Sequence, residues 1–297
     1  MHVFVTGATG FVGQAVVQEL LDAGHTVTGL ARSDASAKAL QNKGVDVVRG
    51  SLEDIDCLKS AASKSDGVIH LAFNHDFTNF AANSLAERTA IFAMIDALAG
   101  SNKPLVFTSG TMTLEKGEVG TEDKGAATNT PFSARSDTEQ GALNLSSKGV
   151  RVSCVRLSPT THGEGDKGFV WLIAEFARAN GQSVYVGDGL NRWPAVHRRD
   201  AAHLFRLALE KGVAGRRYHA VAEEGVLMKD IAGAIGKATG LPTVSQNFEA
   251  ASKHFAGFLV HPVMADNPAS SRQTQEQLGW SASERTILAD IEAGVYN

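Results

Sequence analysis

Three glycines, Gly7, Gly10 and Gly13, stand at three-residue spacing where the apolar run "HVFVTG" passes into "TGATGFVGQAVVQELLDAGH". The chemistry such a turn offers is phosphate binding. One glycine permits the tight bend, the next lets the backbone approach a pyrophosphate, and the third lets the helix pack on the strand. The helix N-terminus adds free N–H donors and partial positive charge. A glycine-rich turn without a ligand has the same spacing, but this one opens a βαβ unit, which favours a dinucleotide. The contacts expected are Thr6, Gly7, Thr9, Gly10, Phe11, Val12 and Gly13. The second apolar run ends "TGLARSDAS", with Ala31 where an acidic residue would hold a ribose 2′-OH, and with Arg32 and Ser33 just beyond. A guanidinium and a hydroxyl suit a 2′-phosphate, so NADP is expected ahead of NAD; a merely solvated Arg32 is the competing reading.

The elements that must hold this turn are written as an alternation. "HVFVTG", "HTVTGLA", "VDVVRG", "GVIHLAF", "PLVFTSG" and "VRVSCVRLS" are short β-branched runs separated by stretches of helical length. That pattern predicts an α/β Rossmann-type fold, a doubly wound parallel sheet with helices on both faces. Beyond Pro159 the spacing turns irregular and rich in Gly, Asp, Asn and Pro, which predicts a smaller C-terminal substrate-binding lobe. The expected division is a dinucleotide-binding domain over 1–160, completed by about 194–222, and a mainly substrate-binding lobe over 161–297. Glu115 to Thr130, polar and rich in Gly and Thr, reads as an exposed loop.

Composition bounds the partners. The chain of 297 residues, 43% hydrophobic and 20% charged, is long enough for such a core. A net charge of −4 without a Lys or Arg run lacks the electrostatic footprint for nucleic acid or an anionic membrane, leaving a small-molecule substrate as the expected partner of a monomer or homodimer. No basic-then-apolar leader and no run of membrane-spanning length is present, so the protein reads as cytoplasmic. Cys57 and Cys154 are too few for a disulfide framework, and the histidines lack the clustered spacing of metal ligands.

Seven pieces then line up in one order: "VTGATGFVG", "VRGSLED", "VIHLAF", "LVFTSGT", "VRLSPTTHGEG", "AVHRRDAAHLF" and "ASSRQTQEQLGW". On these the chain resembles the extended or atypical short-chain dehydrogenase/reductase group, akin to nucleoside-diphosphate-sugar epimerases and dihydroflavonol reductases, along nearly its whole length. The resemblance implies that Ser51 and Leu52 flank the adenine, that Leu71 and Ala72 lie beside the ribose and phosphates, and that Pro159 with Thr160 meets the nicotinamide.

Reductases of that group protonate the nascent alkoxide with a Tyr whose pKa a Lys four residues on lowers, while a Ser or Thr of the fifth strand positions the carbonyl. Counted from "LVFTSGT" and "VRVSCVRLSP", the stretch "PFSARSDTEQGAL" puts Arg135 at the tyrosine position and Glu139 at the lysine position. Arginine can stabilise an oxyanion but is a poor proton donor, and Glu139 can accept from ribose hydroxyls. Alternatively the two form a surface i,i+4 ion pair. Tyr185, Tyr218 and Tyr296 all lack a lysine four residues on. His75 in "AFNHDF" is the leading replacement donor, its competing reading being a loop residue before an N-capping Asp76. Ser109 and Thr111, on either side of Gly110, can orient a carbonyl without being acidic enough to protonate it.

Among the remaining candidates, His70 reads as structural and His162 as a loop residue able to face the cleft. Asp200 reads as an N-cap, with His197 bracing a strand end. Asn191, Arg192 and Trp193 read as a polar and aromatic pocket wall. The preferred function is an NADP(H)-dependent oxidoreductase acting on a carbonyl or related group with a non-standard proton donor. A non-redox isomerase or dehydratase, or a catalytically silent dinucleotide sensor, are the alternatives.

Overall fold

In the computed structural model, which describes residues 1–127 and 133–296, the six apolar runs are strands: β1 (His2–Thr6), β2 (Thr26–Ala31), β3 (Asp46–Arg49), β4 (Gly67–His70), β5 (Pro104–Gly110) and β6 (Arg151–Leu157). The later strands are β7 (Thr160–His162), β8 (Ser183–Val186), β9 (Arg192–His197), β10 (Arg217–Ala220), β11 (Glu223–Leu227) and β12 (Thr243–Gln246). β10 joins the first six in a parallel seven-stranded sheet of order β10-β6-β5-β4-β1-β2-β3. The order reverses between β1 and β4, and at such a switch point the crevice beyond the strand C-termini is where a ligand binds.

Alternate residues of each strand bury opposite faces. Val3, Val5, Ile69 and Val106 pack with α1 (Phe11–Asp22) and with a later helix, Arg198–Lys211. Phe4, Val68, Leu105 and Phe107 pack on the other face, with α3 (Ile55–Ser63), α4 (Phe80–Ala97) and α5 (Ser133–Asn144). α2 (Asp34–Gln41) follows β2. Helices cover both faces of the central strands, which is why these runs read as largely apolar stretches.

The rest of the chain builds a three-stranded sheet, β11-β9-β7, and a two-stranded one, β12-β8. They share an apolar core with α6 (Phe169–Asn180) and with the helices Met228–Thr239 and Ile287–Glu292. Trp193 serves this core and not a pocket wall, while part-exposed Asn191 and Arg192 are tied to the 263–266 segment. Trp193 is fully buried and its Nε1 donates to Ala265 O at 3.1 Å; Asn191 Nδ2 donates to Val263 O at 2.7 Å, and Arg192 pairs with Asp266 at 2.7 Å.

The helix Arg198–Lys211, here α7, is capped by His197, whose Nδ1 accepts from Arg199 N at 3.3 Å. Asp200, expected as the cap, instead accepts from Ser283 N at 2.9 Å and Glu284 N at 3.1 Å, fastening the C-terminal segment. The loop after β5 is exposed from Glu115 to Val119 and then docks. Gly120 N donates to Pro268 O and Ser270 N to Gly120 O, both at 2.9 Å, while buried Glu122 accepts from Thr274 N at 2.7 Å. The expectation of an exposed loop therefore fails from Gly120 on, because the C-terminal segment supplies partners for its backbone; Thr128 to Thr130 lie outside the described residues. Among the described residues no helix is long and apolar enough to cross a membrane.

Candidate active site

The phosphate turn has the shape its glycines require. Gly7 has φ +70°, and a Cβ there would lie 2.8 Å from Ala72 N. A Cβ on Gly13 would lie 2.0 Å from Gly7 O, so helix and turn touch backbone to backbone. Gly10 is the N-cap of α1 without a side-chain capping bond, and its N–H donates to Gly7 O at 2.9 Å. The first amides of α1 are thus uncapped by side chains and face the rim, where Thr9, Phe11 and Val12 are half-buried. This cradle fits a pyrophosphate.

Leu71 and Ala72 press their backbone on Gly7 and form the facing wall. Thr6 departs from expectation as a direct contact. It is fully buried, its Oγ1 lies 2.9 Å from His70 Nδ1, and it accepts from Ala72 N at 3.3 Å, so it braces the wall from beneath. Burial first, and then the charge of Arg135, push the His70 pKa down to about 3, as suits the structural role expected of it.

Arg32 is exposed at the end of β2 and has no partner among the described residues. Ser33 caps α2, accepting from Ser36 N at 3.2 Å and donating to Ser36 Oγ at 3.0 Å, so its hydroxyl is already engaged. Ser51 Oγ accepts from Glu53 N at 3.2 Å, and Leu52 is half-buried against the α3–α5 side. A residue passed over in the sequence stands here: Arg49, at the end of β3, pairs with Asp34 Oδ1 at 2.8 Å and donates to Ser33 O.

At the C-terminal edge of β5 Arg135 dominates. Its Nη2 and Nε grip Glu87 of α4 at 2.9 and 3.2 Å, Nη2 also donates to Thr108 O at 3.2 Å, and the guanidinium lies 4.5 Å over the Phe73 ring. Glu87 is buried, and desolvation raises its pKa against the pull of Arg135. Glu139 does not pair with Arg135 and does not reach toward a ribose. It is 1% exposed and holds Arg156 at 2.5 and 3.0 Å and Arg217 at 2.7 Å. Four residues of helix advance about 6 Å along the axis, enough to carry it from the rim to the sheet beneath. Pro131 and Phe132, which open the quoted stretch, lie outside the described residues.

The other expected donors separate. His75 is exposed at the rim, its ring 5.2 Å from that of Phe73, and Asp76 caps the following turn by accepting from Thr78 N at 3.0 Å. Desolvation, and then the charge of Arg135, hold His75 below the usual imidazole range, so it is neutral at neutral pH. Ser109 is buried with its hydroxyl unpartnered among the described residues. Thr111 is fully buried, with Oγ1 donating to Asn267 Oδ1 at 3.3 Å and Asn267 Nδ2 returning a bond to Thr111 O at 3.1 Å, so it does not face the cleft. Thr160 is likewise buried with its hydroxyl on Pro194 O, leaving half-buried Pro159 at the rim. His162 is buried against Asp290, Nδ1 at 2.7 Å, and not in the cleft. A groove of about 650 Å³ between α1 and α7, lined by residues such as Gln18, Arg199 and Arg206, contains none of the expected cofactor contacts.

Residues 3–221 match the NAD dependent epimerase/dehydratase family. An uncharacterized Saccharomyces cerevisiae protein, YLL056C, is 46% identical over 295 residues, which is 99% of this chain and 98% of that protein. The 2-alkyl-3-oxoalkanoate reductase of Stenotrophomonas maltophilia is 29% identical over 261 residues, 83% of this chain and 78% of the reductase. The fold is shared with Thermus thermophilus UDP-glucose 4-epimerase, solved in complex with NAD, at a TM-score of 0.76 and 20% identity over 99% of this chain and 98% of that one.

Proposed function

The chain belongs to the NAD dependent epimerase/dehydratase family, and on that premise we propose that it is an NADP(H)-dependent oxidoreductase acting on a carbonyl or related group of a small molecule. The observation that carries this reading is Arg135, fixed at the C-terminal edge of β5 by Glu87 and Thr108 O. The dinucleotide, when bound at the Gly7–Gly13 turn, supplies or accepts hydride. Arg135 presents a fixed positive charge to a carbonyl oxygen that gains negative charge, and its grip on Glu87 means that no reorganisation is needed as that charge develops. Likeness to a 2-alkyl-3-oxoalkanoate reductase supports a ketone as substrate.

Arg135 stands at the tyrosine's place in the family pattern and Glu139 at the lysine's, and a guanidinium is a poor proton donor. The proton comes from water at the rim, and the neutral imidazole of His75 relays it, taking a proton from water on one ring nitrogen as it gives one from the other. Arg135→Lys keeps the charge but loses the paired grip on Glu87 and is expected to lower kcat about 10²-fold. His75→Ala is expected to lower kcat by about 10²-fold as well; full activity in that variant assigns the transfer to water without the relay.

The decisive experiment titrates NADPH and NADH by fluorescence, then follows absorbance at the nicotinamide band over aldehydes, ketones and imines. Tight binding without turnover on any of them overturns the oxidoreductase reading. The enclosure of Ser109 and Thr111 supports the second reading, a non-redox enzyme or silent sensor, which that result would leave standing.

A further inference from the structure

We propose that Arg49 and Arg32 together form the seat of a phosphomonoester on the adenosine ribose 2′ position, and that Asp34 holds Arg49 until the phosphate displaces it. The inference rests on the NADP reading above and names residues that set it. Register places the two strand ends side by side: Ala31 of β2 pairs with Arg49 of β3, and Gly50 N donates to Ala31 O at 3.2 Å. Arg32 follows Ala31 directly, so two guanidiniums leave adjacent strand ends at the crevice side of the sheet.

Their present commitments are light. Arg32 is exposed and has no partner among the described residues. Arg49 and Asp34 are 47% and 103% exposed at the side chain, and an ion pair so open to water contributes little. A phosphate dianion offers each guanidinium shorter, charge-assisted, paired bonds, so exchanging the Asp34 carboxylate for it is favourable. The bond from Arg49 to Ser33 O keeps that side chain at the head of α2. Asp34 has a second effect, since its charge beside the seat opposes the incoming dianion. Ser33, its hydroxyl spent on the helix cap, contributes backbone to this arrangement.

Calorimetric titration of NADP+ and NAD+ into the wild type, Arg49→Ala, Arg49→Lys, Arg32→Ala and Asp34→Asn tests this without turnover. Arg49→Ala is expected to weaken NADP+ about tenfold or more and to leave NAD+ unchanged, with Arg49→Lys between it and the wild type. Arg32→Ala should act in the same direction, and Asp34→Asn should tighten NADP+ several-fold. The NADP+ preference should shrink with added salt. A wild type that prefers NADP+ while Arg49→Ala keeps the same preference overturns the role of Arg49 and leaves the NADP reading intact. A wild type that binds NAD+ at least as tightly overturns both. Unchanged NADP+ affinity in Asp34→Asn overturns the exchange. All three residues are at the surface, so melting curves matching the wild type confirm that each of the four variants is folded.

Discussion

Gly13→Ala should abolish dinucleotide binding and lower the melting temperature, the largest effect expected of any single methyl in this chain. The added Cβ would fall 2.0 Å from Gly7 O, 2.8 Å from Gly7 C and 3.1 Å from Ala8 C. All three are backbone atoms, so no rotamer change relieves the clash. The helix must retreat by more than 1 Å, yet its Val16, Val17 and Leu20 are fully buried against the sheet. Overpacking of that kind costs about 3 kcal/mol or more, and it also swings the α1 amides away from the phosphates. Gly10→Ala separates the two consequences, because its Cβ would meet Gly7 O at 3.2 Å and nothing else nearby. That variant should melt close to the wild type and lose affinity at least tenfold, through a methyl placed where the pyrophosphate approaches. Thermal melts and NADPH fluorescence titrations of both proteins check this; a Gly13→Ala protein with wild-type melting and affinity would refute the packing of α1 on the turn.

The turn was legible in the sequence because its constraint is local: Gly7 and Gly13 meet each other's backbone within one βαβ unit. The six runs were legible for a related reason, since strands covered on both faces are largely apolar along their length. What the sequence concealed was partners brought from afar. Spacing rightly put Arg135 and Glu139 one turn apart, but their partners, Glu87 and Arg217, lie 48 and 78 residues from them, and Arg156 lies on β6. Which of them each residue meets depends on depth along α5, which no periodicity encodes. Thr111 looked accessible because Asn267, which locks it, is 156 residues away. Trp193 stood in a Gly- and Asn-rich stretch that reads as a loop, although β9 carries it into the core of the lobe. Arg49 gained meaning only from the register of β3 on β2.

The buried pair under the site should make this protein acid-sensitive in a way one substitution can isolate. Burial alone would raise the pKa of Glu139, but Arg156 and Arg217 outweigh it and bring the carboxyl from 4.5 down to about 2. A carboxylate depressed in the folded state stabilises fully above its unfolded pKa and loses that contribution as pH falls through the folded one. The window therefore runs from about pH 4.5 to about pH 2, and the shift corresponds to roughly 3 kcal/mol. His70 and His219 act in the same direction from higher pH. Burial leads in holding each at about 3, so stability declines below 6.5 as the unfolded chain takes up protons that the folded one refuses. Glu139→Gln removes the carboxylate and leaves Arg156, 0% exposed, without its buried counter-charge. At neutral pH that should cost about 3–5 kcal/mol. Because the Gln variant has nothing to protonate at that position, the stability gap should narrow as pH falls from 4.5 toward 2, while both proteins keep the histidine-dependent decline. Urea unfolding of the two proteins across that range measures the gap directly, and a difference that stayed constant with pH would show that Glu139 is not held ionised by Arg156 and Arg217.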